Sequence, residues 1–443
     1  MKTKVLVIIA AWCAAFSGVG KTYAAADTYS KLFSDTYAGK ADTLTTCLIS
    51  QFMNVSKGTF FAIPRDRPDR VSASTYIYWQ QAHAMDVVIY AYERLLETKP
   101  SLAATYKRYM EAWYKNHANN WYHDSNDPTG FLNEYTDDMC WICLTLIHIG
   151  EALEDTKYTE MAKTIFDSYV VPRGWTDDED YWGLPWKSND KGRNACTNAP
   201  GCLVAARLYN YTGDKSYLDI AIELYDFWTH VMSVELNNDG RVEDPPLTYT
   251  QGTFGEACRQ LYHITGEQKY MAMAQKVIWY ACSSGRCVDR GILRSEGESM
   301  DQSLFKAVLI PYAVNLVLDE ACRSTYRTNI TKFLIKNADT LWENLFIEDY
   351  PKIYCNYYWA EPIDQTKVPS MGAMASGASL IENVARMARG FNVGTGIRDV
   401  VQTASDGGAV YDLHGRLVMR DPSAIGLLQP GLYVVNGRKV NIK

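Results

Sequence analysis

A unit recurs three times in the middle of this sequence: an apolar run with helical spacing, a short polar turn, and a tyrosine that opens the next run. Trp141 to Leu153 leads through Glu154-Asp155-Thr156-Lys157 to Tyr158. Leu203 to Tyr211 leads through Thr212-Gly213-Asp214-Lys215-Ser216 to Tyr217. Cys258 to Ile264 leads through Thr265-Gly266-Glu267-Gln268-Lys269 to Tyr270. The three tyrosines are separated by 59 and 53 positions. Gly213 and Gly266 stand where a helix C-cap needs a left-handed residue. A period of this size predicts helical hairpins packed side by side. A solenoid accommodates the period, but the connecting segments are long and rich in Trp, Gly and Asp, as in 173–198, which suits a closed toroid whose loops build a cleft on one face. No strand-like run is visible between Asp27 and about Gly390, which argues against an α/β fold. Only Val410 to Lys443 alternates apolar and polar residues, with turn signals at Asp412-Leu413-His414-Gly415 and Gln429-Pro430-Gly431. The expected fold is therefore all-α, a toroid of hairpins followed by a small C-terminal β segment.

The sequence has 443 residues, 47% of them hydrophobic and 21% charged, enough for a large core without help from metals or disulfides. Its formal charge of -7 and the lack of a Lys/Arg run argue against nucleic acid as a partner. Lys2 and Lys4, the apolar stretch Val5–Val19 and the small residues Ala24-Ala25-Ala26 read as a secretory signal over residues 1–26. The stretch is short for a membrane span, and no later one is apolar enough. The protein is expected outside the cytoplasm: periplasmic, surface-attached or extracellular. Residues 27–393 then form the helical domain, and 394–443 a linker and the β segment. Cys140-x-x-Cys143 lacks the βαβ context of a redox motif, and no second Cys or His pair stands at zinc-ligand spacing. No metal or cofactor is expected. Cys196/Cys202 and Cys282/Cys287 are close enough in sequence to pair, which spacing alone leaves open.

Composition also gives 31 Tyr and 12 Trp against 13 Phe. Tyr and Trp join an apolar ring to a polar handle, as a carbohydrate cleft requires, although core packing uses the same rings. The adjacent carboxylates Asp137 and Asp138 sit where a loop becomes an apolar helix. Cleavage of a glycosidic bond needs one carboxyl as acid/base and a second as nucleophile or base. Close like charges raise one pKa and keep the acid protonated. Helix capping is the competing role, and on sequence physics alone the commoner one for such a pair. Asp177-Asp178, in the acidic run 177–180, competes with it and reads as a solvated loop. Trp79, His83 and Asp86 fall at i, i+4 and i+7, one face of a helix. Trp182 and Trp186 are candidates for stacking on sugar rings, and Asn194 and Gln251 carry amides suited to hydroxyls. Loop packing, loop tethers and, for Asp301, a helix cap are the competing roles.

Asp137-Asp138-Met139-Cys140-Trp141 resembles the Asp-Asp-x-x-Trp signature of glycoside hydrolase family 76, the α-1,6-mannanases. Further resemblances follow in the family's order. They are Trp79-Gln80-Gln81-Ala82, Gly183-Leu184-Pro185-Trp186 with Arg193-Asn194-Ala195, Tyr249-Thr250-Gln251-Gly252-Thr253-Phe254, and Asp301-Gln302 with Phe305-Lys306. Thr250, Arg193 and Ala307 depart from the usual Asn, Lys and Gly. The resemblance implies an (α/α)6 barrel and a retaining enzyme acting on α-mannan polysaccharide or manno-oligosaccharides, with Asp137 as nucleophile and Asp138 as general acid/base. Those matching segments, together with the helix face and the aromatic and amide side chains above, mark Trp79, His83, Asn133, Trp141, Trp182, Trp186, Asn194, Tyr249, Gln251, Thr253 and Asp301 as the expected substrate contacts. Tyr411 to Arg416 and Pro430 to Gly437 resemble the C-terminal sorting tails of secreted Bacteroidetes proteins. A monomeric mannanase acting within the chain is the expected function. A transglycosylase, another α-glycan enzyme or lyase on the same toroid, and a non-catalytic glycan-binding protein are the alternatives.

Overall fold

The computed structural model describes residues 37–66, 77–117, 127, 129–232 and 234–393, together with four strands between 410 and 442. Twelve helices of ten or more residues stand among the described residues. They are α1 (Tyr37–Phe52), α2 (Trp79–Leu95), α3 (Pro100–His117), α4 (Thr136–Leu153), α5 (Thr156–Ile165), α6 (Ala195–Thr212), α7 (Lys215–Phe227), α8 (Thr248–Thr265), α9 (Gln268–Ser283), α10 (Met300–Leu318), α11 (Ser324–Glu343) and α12 (Met371–Val393). The even-numbered helices α2, α4, α6, α8 and α10 pack each against the next as an inner ring, and each pairs with the odd-numbered helix that follows it. The fold is an (α/α)6 barrel. No described helix is long and apolar enough to cross a membrane.

The repeat read from the sequence is the structural unit. Gly213 and Gly266 adopt φ of 72° and 76°, and their N–H groups donate to the carbonyls of Tyr209 and Tyr262. Glu154 does the same work in the first copy with φ 52°, at the cost of a β-carbon in left-handed space. Asp155 and Asp214 then cap the next helix by accepting from Lys157 and Ser216 N–H. Each repeat tyrosine is buried against an aromatic of the preceding outer element. Tyr158 meets Tyr114 at 4.9 Å, Tyr217 meets Phe166 at 6.4 Å, and Tyr270 meets Tyr225 at 4.7 Å. The outer ring is thus stitched tyrosine by tyrosine. Two thiols repeat as well: Cys143 donates to Ala162 O and Cys202 to Ala221 O, each tying an inner helix to its outer partner nineteen positions on.

The inner helices approach closely. A β-carbon at Gly252 would lie 2.6 Å from the Leu309 Cα, so the α8–α10 contact requires glycine there. Pro311, inside α10, cannot donate to the Ala307 carbonyl. That carbonyl instead accepts from the Ser379 hydroxyl of α12 at 3.2 Å, so a helix defect becomes an inter-helix bond. Ring closure runs through Glu382 of α12. Its buried carboxylate takes both Arg94 Nε and Nη2 of α2, at 2.7 and 2.9 Å, and the Thr45 hydroxyl of α1, at 2.6 Å. Tyr37 of α1 donates to Asp339 of α11 at 2.6 Å, joining the first outer helix to the last.

Three expectations need correction or closure. Strands do occur within the helical region, as four small antiparallel ribbons: 53–54 with 59–60, 175–176 with 182–183, 288–289 with 292–293, and 346–349 with 352–354. Strands of two to four residues are too short to show alternation. All ten described cysteines are unpaired, Cys196/Cys202 and Cys282/Cys287 included. Cys196 and Cys202 lie at opposite ends of nearly two turns of one helix, some 9 Å of rise apart. The C-terminal alternation does form a sheet, antiparallel in the order 417–419, 410–412, 431–435, 438–442, with Tyr433 opposite Asp412 and Gly431 opposite Ile442. The helical ring makes up one compact unit, Asp35–Met387, and this sheet belongs to another. The signal segment 1–26, the linker from 394 and the two C-terminal turns lie outside the described residues.

Replacing Glu382 by Ala should destabilise the protein by about 3 kcal/mol in urea unfolding, at the low end for breaking a buried ion pair because Asp42 still meets Arg94 at 2.8 Å.

Candidate active site

The inner helices present their N-terminal turns to one cleft. It has a volume of about 510 Å³ and is lined by Trp79 of α2, Asp137, Asp138 and Trp141 of α4, Asn194 and Cys196 at the start of α6, Tyr249 of α8, and Asp301 and Phe305 of α10. Tyr135, Trp186 and Glu243 complete it from the loops. The first turn of a helix exposes unpaired N–H groups and the positive end of its dipole, which favours carboxylates. Four of the twelve lining residues are acidic, and none is Lys or Arg.

The segment entering α4 is held rigidly. Arg173 donates to the carbonyls of Asn133 and Glu134 at 2.8 and 2.9 Å, and Thr136 N bonds Trp186 O at 2.8 Å. Asp137 and Asp138 therefore begin the helix from a fixed point. Burial pushes the Asp137 carboxyl up to about 7, opposed by hydrogen bonds from the Cys196 thiol, from backbone amides and from Trp186. One buried oxygen of Asp137, Oδ1, has no hydrogen-bond partner. Asp138 is raised further above the carboxylate range. Burial is the first cause, followed by the charges of Asp137 and Asp301, against a single bond of 3.1 Å from the Asn133 amide. The pair shares protons, with Asp138 the stronger holder. Glu243 is pushed up to about 7 by burial, against a 2.5 Å bond from the Thr250 hydroxyl.

An aromatic wall faces the acids. Tyr249 stacks on Phe305 at 4.2 Å, Phe305 on Trp79 at 6.1 Å, and Trp141 lies 6.4 Å from Trp79 and 6.1 Å from Tyr249. Trp79 Nε1 and Gln80 Nε2 both donate to Asp301. Trp186, 36% exposed, meets Tyr135 at 5.1 Å on the rim.

Of the residues singled out in the sequence, Trp79, Asp137, Asp138, Trp141, Trp186, Asn194, Tyr249 and Asp301 line this cleft. The others lie outside its lining. His83 is buried edge-on beneath Trp79 and Trp141, at 5.4 and 5.1 Å, with Nδ1 3.5 Å from Asp86. Burial would raise Asp86, but His148 and His83 hold it well below the carboxylate range. Asn133 is buried and orients Asp138. Trp182 packs on Gly174, where a β-carbon would come within 2.0 Å of its ring, and so serves the 175–183 ribbon. Gln251 is fully buried, accepting from Val242 N and donating to Gly240 O and Val277 O. The buried Thr253 hydroxyl donates to Tyr249 O at 2.7 Å. Asp177 pairs with Arg193 at 2.6 Å and accepts two loop N–H groups, so the rival acidic run is a loop closure. Cys140 and Cys143 are buried thiols whose pKa values burial drives upward, the reverse of a redox pair.

Tyr135, Cys196, Glu243 and Phe305 line the cleft without having been singled out. Phe305 had a signal, standing one helical turn after Asp301. Cys196 stands two positions after Asn194 in the first turn of α6. Glu243 carried none, because its place depends on a loop pinned by Gln251.

Comparison with known proteins was made against this geometry. The family model described as glycosyl hydrolase family 76 matches residues 36–390. An inactive double aspartate-to-asparagine variant of the α-1,6-mannanase GH76A from a Salegentibacter species, solved with α-1,6-mannotriose, superposes with TM-score 0.67 at 24% identity, over 79% of this chain and 99% of that one. A family 76 mannosidase from Bacteroides thetaiotaomicron gives 0.62 at 15% identity, over 80% and 98%. A mannan endo-1,6-alpha-mannosidase from Candida albicans is 28% identical over 148 residues, which are 28% of this chain and only 32% of that relative.

Gln251→Ala should lower unfolding stability by roughly 2 kcal/mol, through loss of buried amide bonds, and should raise KM by loosening the loop that carries Glu243. Thermal melts and Michaelis kinetics check both parts.

Proposed function

The chain belongs to glycosyl hydrolase family 76, and from that premise we propose that it hydrolyses α-1,6-mannosidic bonds within a mannan, with retention of configuration. It is a glycoside hydrolase by family. The substrate linkage, the stereochemistry and the residue roles form the proposal. The observation that carries it is the carboxyl pair in the first turn of α4, two adjacent side chains at a cleft with unequal hold on their protons. Inverting enzymes separate their carboxyls by about 6.5–9.5 Å to admit a water, whereas retaining ones need only about 5–5.5 Å. Neighbouring residues on one helical turn suit the shorter spacing.

Asp137 attacks the anomeric carbon, while Asp138 gives its proton to the departing glycosidic oxygen. A mannosyl ester on Asp137 results. Asp138, now a carboxylate, takes a proton from water as that water attacks the same carbon, and both carboxyls return to their starting states. The aromatic wall offers faces for sugar C–H groups. Four acids with no cation in the lining would repel a uronate, which favours a neutral mannan over a lyase substrate. The complexes of the Salegentibacter enzyme with α-1,6-mannotriose and mannotetrose support the same substrate class. The basic and apolar N-terminal residues support placing this activity outside the cytoplasm.

On debranched α-1,6-mannan, Asp137→Ala and Asp138→Ala should each lower kcat at least about a thousandfold with unchanged melting temperature. Released reducing ends and product sizes measure this, and wild-type turnover in either variant would overturn the roles. The kcat/KM profile should be bell-shaped. Its acidic limb lies near pH 7, because Asp137 must be ionised and activity is lost as pH falls through its raised pKa. Its basic limb lies higher, where Asp138 loses its proton. A profile flat from pH 5 to 9 would contradict the pair.

A further inference from the structure

Beneath the aromatic wall lies a polar cluster that the chemistry proposed above does not use. Trp79, His83 and Asp86 descend one face of α2, and Trp141, Thr145 and His148 descend α4 beside it. Trp79 and Trp141 line the cleft. His83 carries both from below, edge-on at 5.4 and 5.1 Å. Asp86 stands lower still, about two turns from the head of α2. Its Oδ1 accepts from the Thr145 hydroxyl at 3.2 Å and lies 3.0 Å from His148 Nδ1. Its Oδ2 lies 3.5 Å from His83 Nδ1.

We propose that Asp86 is a positioning residue: anchored on α4 through one oxygen, it fixes the His83 ring with the other, and that ring holds Trp79 and Trp141 where a sugar would rest. This builds on the reading of Trp79 and Trp141 as a wall for mannose.

The imidazole has one polar tether. His83 Nε2 is buried without a hydrogen-bond partner, so Asp86 decides how the ring turns between the two tryptophans. Asp86 itself has little freedom. His148 and His83 keep it an anion against its burial, and an anion only accepts. Its main donor is fixed in turn. The His148 ring packs 4.7 Å from Tyr90, its Nε2 lies 3.7 Å from Glu93, and the Arg386 guanidinium of α12 sits over the Tyr90 ring at 4.9 Å. The catalytic carboxyls are set from the opposite side. Arg173 bonds the carbonyls of Asn133 and Glu134, and Trp186 O bonds Thr136 N. Loss of Asp86 therefore disturbs the wall and spares the carboxyls, so sugar binding weakens while the chemical step holds. A role confined to stability would lower the melting temperature and leave the wall in place.

The test compares Asp86→Ala, which removes the tether, with Asp86→Asn, which keeps an oxygen for α4 and an amide for His83. The nitrogen-15 indole resonance of Trp79, assigned with Trp79→Phe, is read in substrate-free protein, and kcat and KM are read on α-1,6-mannan. Asp86→Ala should displace the resonance and raise KM about fivefold, with kcat held within about twofold. Asp86→Asn should leave both near wild type. His83→Phe keeps the ring volume and cuts the same tether, and it carries the test should Asp86→Ala not fold. It should raise KM to a similar degree, and adding Asp86→Ala to it should raise KM no further. An unmoved indole and KM in Asp86→Ala, with only the melting temperature lowered, overturns the inference. A His83→Phe protein with wild-type KM, or an Asn variant displaced as far as the Ala variant, does the same. A displaced indole in a protein that releases nothing from any α-mannan would uphold the tether and sink the proposed substrate instead.

Discussion

Glu382 is the point on which the ring depends. A barrel of hairpins gains nothing from its first and last members unless they meet, and here they meet through a carboxylate with almost no contact with water. Arg94 of α2 grips it with two nitrogens, and Thr45 of α1 adds a third donor. A buried ion pair is weak evidence of stability, because desolvation offsets the attraction. Its value here is geometric, since only one register of α1, α2 and α12 satisfies all three donors. Once the ring is closed, the inner helices bring their N-terminal turns to a common mouth, and the cleft follows.

That mouth explains how four acids can share 510 Å³. Unpaired first-turn N–H groups and helix dipoles favour negative charge there, while burial and mutual repulsion oppose it. Neither side wins outright, which leaves Asp137 and Glu243 balanced near neutrality and Asp138 firmly protonated. Behind the wall the same conflict is met differently. Glu296 anchors the start of α8 by accepting from Thr248 N and Oγ1, and the buried Lys306, pushed down to about 8 by burial, bonds Tyr357 O.

Buried amides show where a sequence pattern and its physical use part company. Gln251 has the donor and acceptor that a sugar hydroxyl wants, but it spends them on backbone groups from 240, 242 and 277. Asn198 likewise brackets Leu184 N and O. In a toroid whose function lies in its loops, each loop carries backbone groups that leave water, and an amide side chain fitted to both polarities is the economical partner. Asn194 keeps a place at the cleft even while capping α6 through Thr197.

The sequence by itself determined the hairpins, their tyrosine-opened second helices, the left-handed caps at Gly213 and Gly266, and the acidic pair at the head of α4. All of these follow from spacings of a few residues, where helical geometry and cap chemistry act locally. It also placed the C-terminal alternation in strands. The rest came from the tertiary structure. Trp182 and Trp186, four positions apart, part ways because one meets Gly174 and the other the cleft rim. His83 shares a helix face with Trp79 yet lies under it. Glu243 and Cys196 enter the cleft because loops and helices distant in sequence bring them there. A periodic pattern tells which face of a helix turns inward, but whether an inward residue meets the cleft, backbone or another ring is decided by partners 59 to 337 positions away, which ring closure alone assembles.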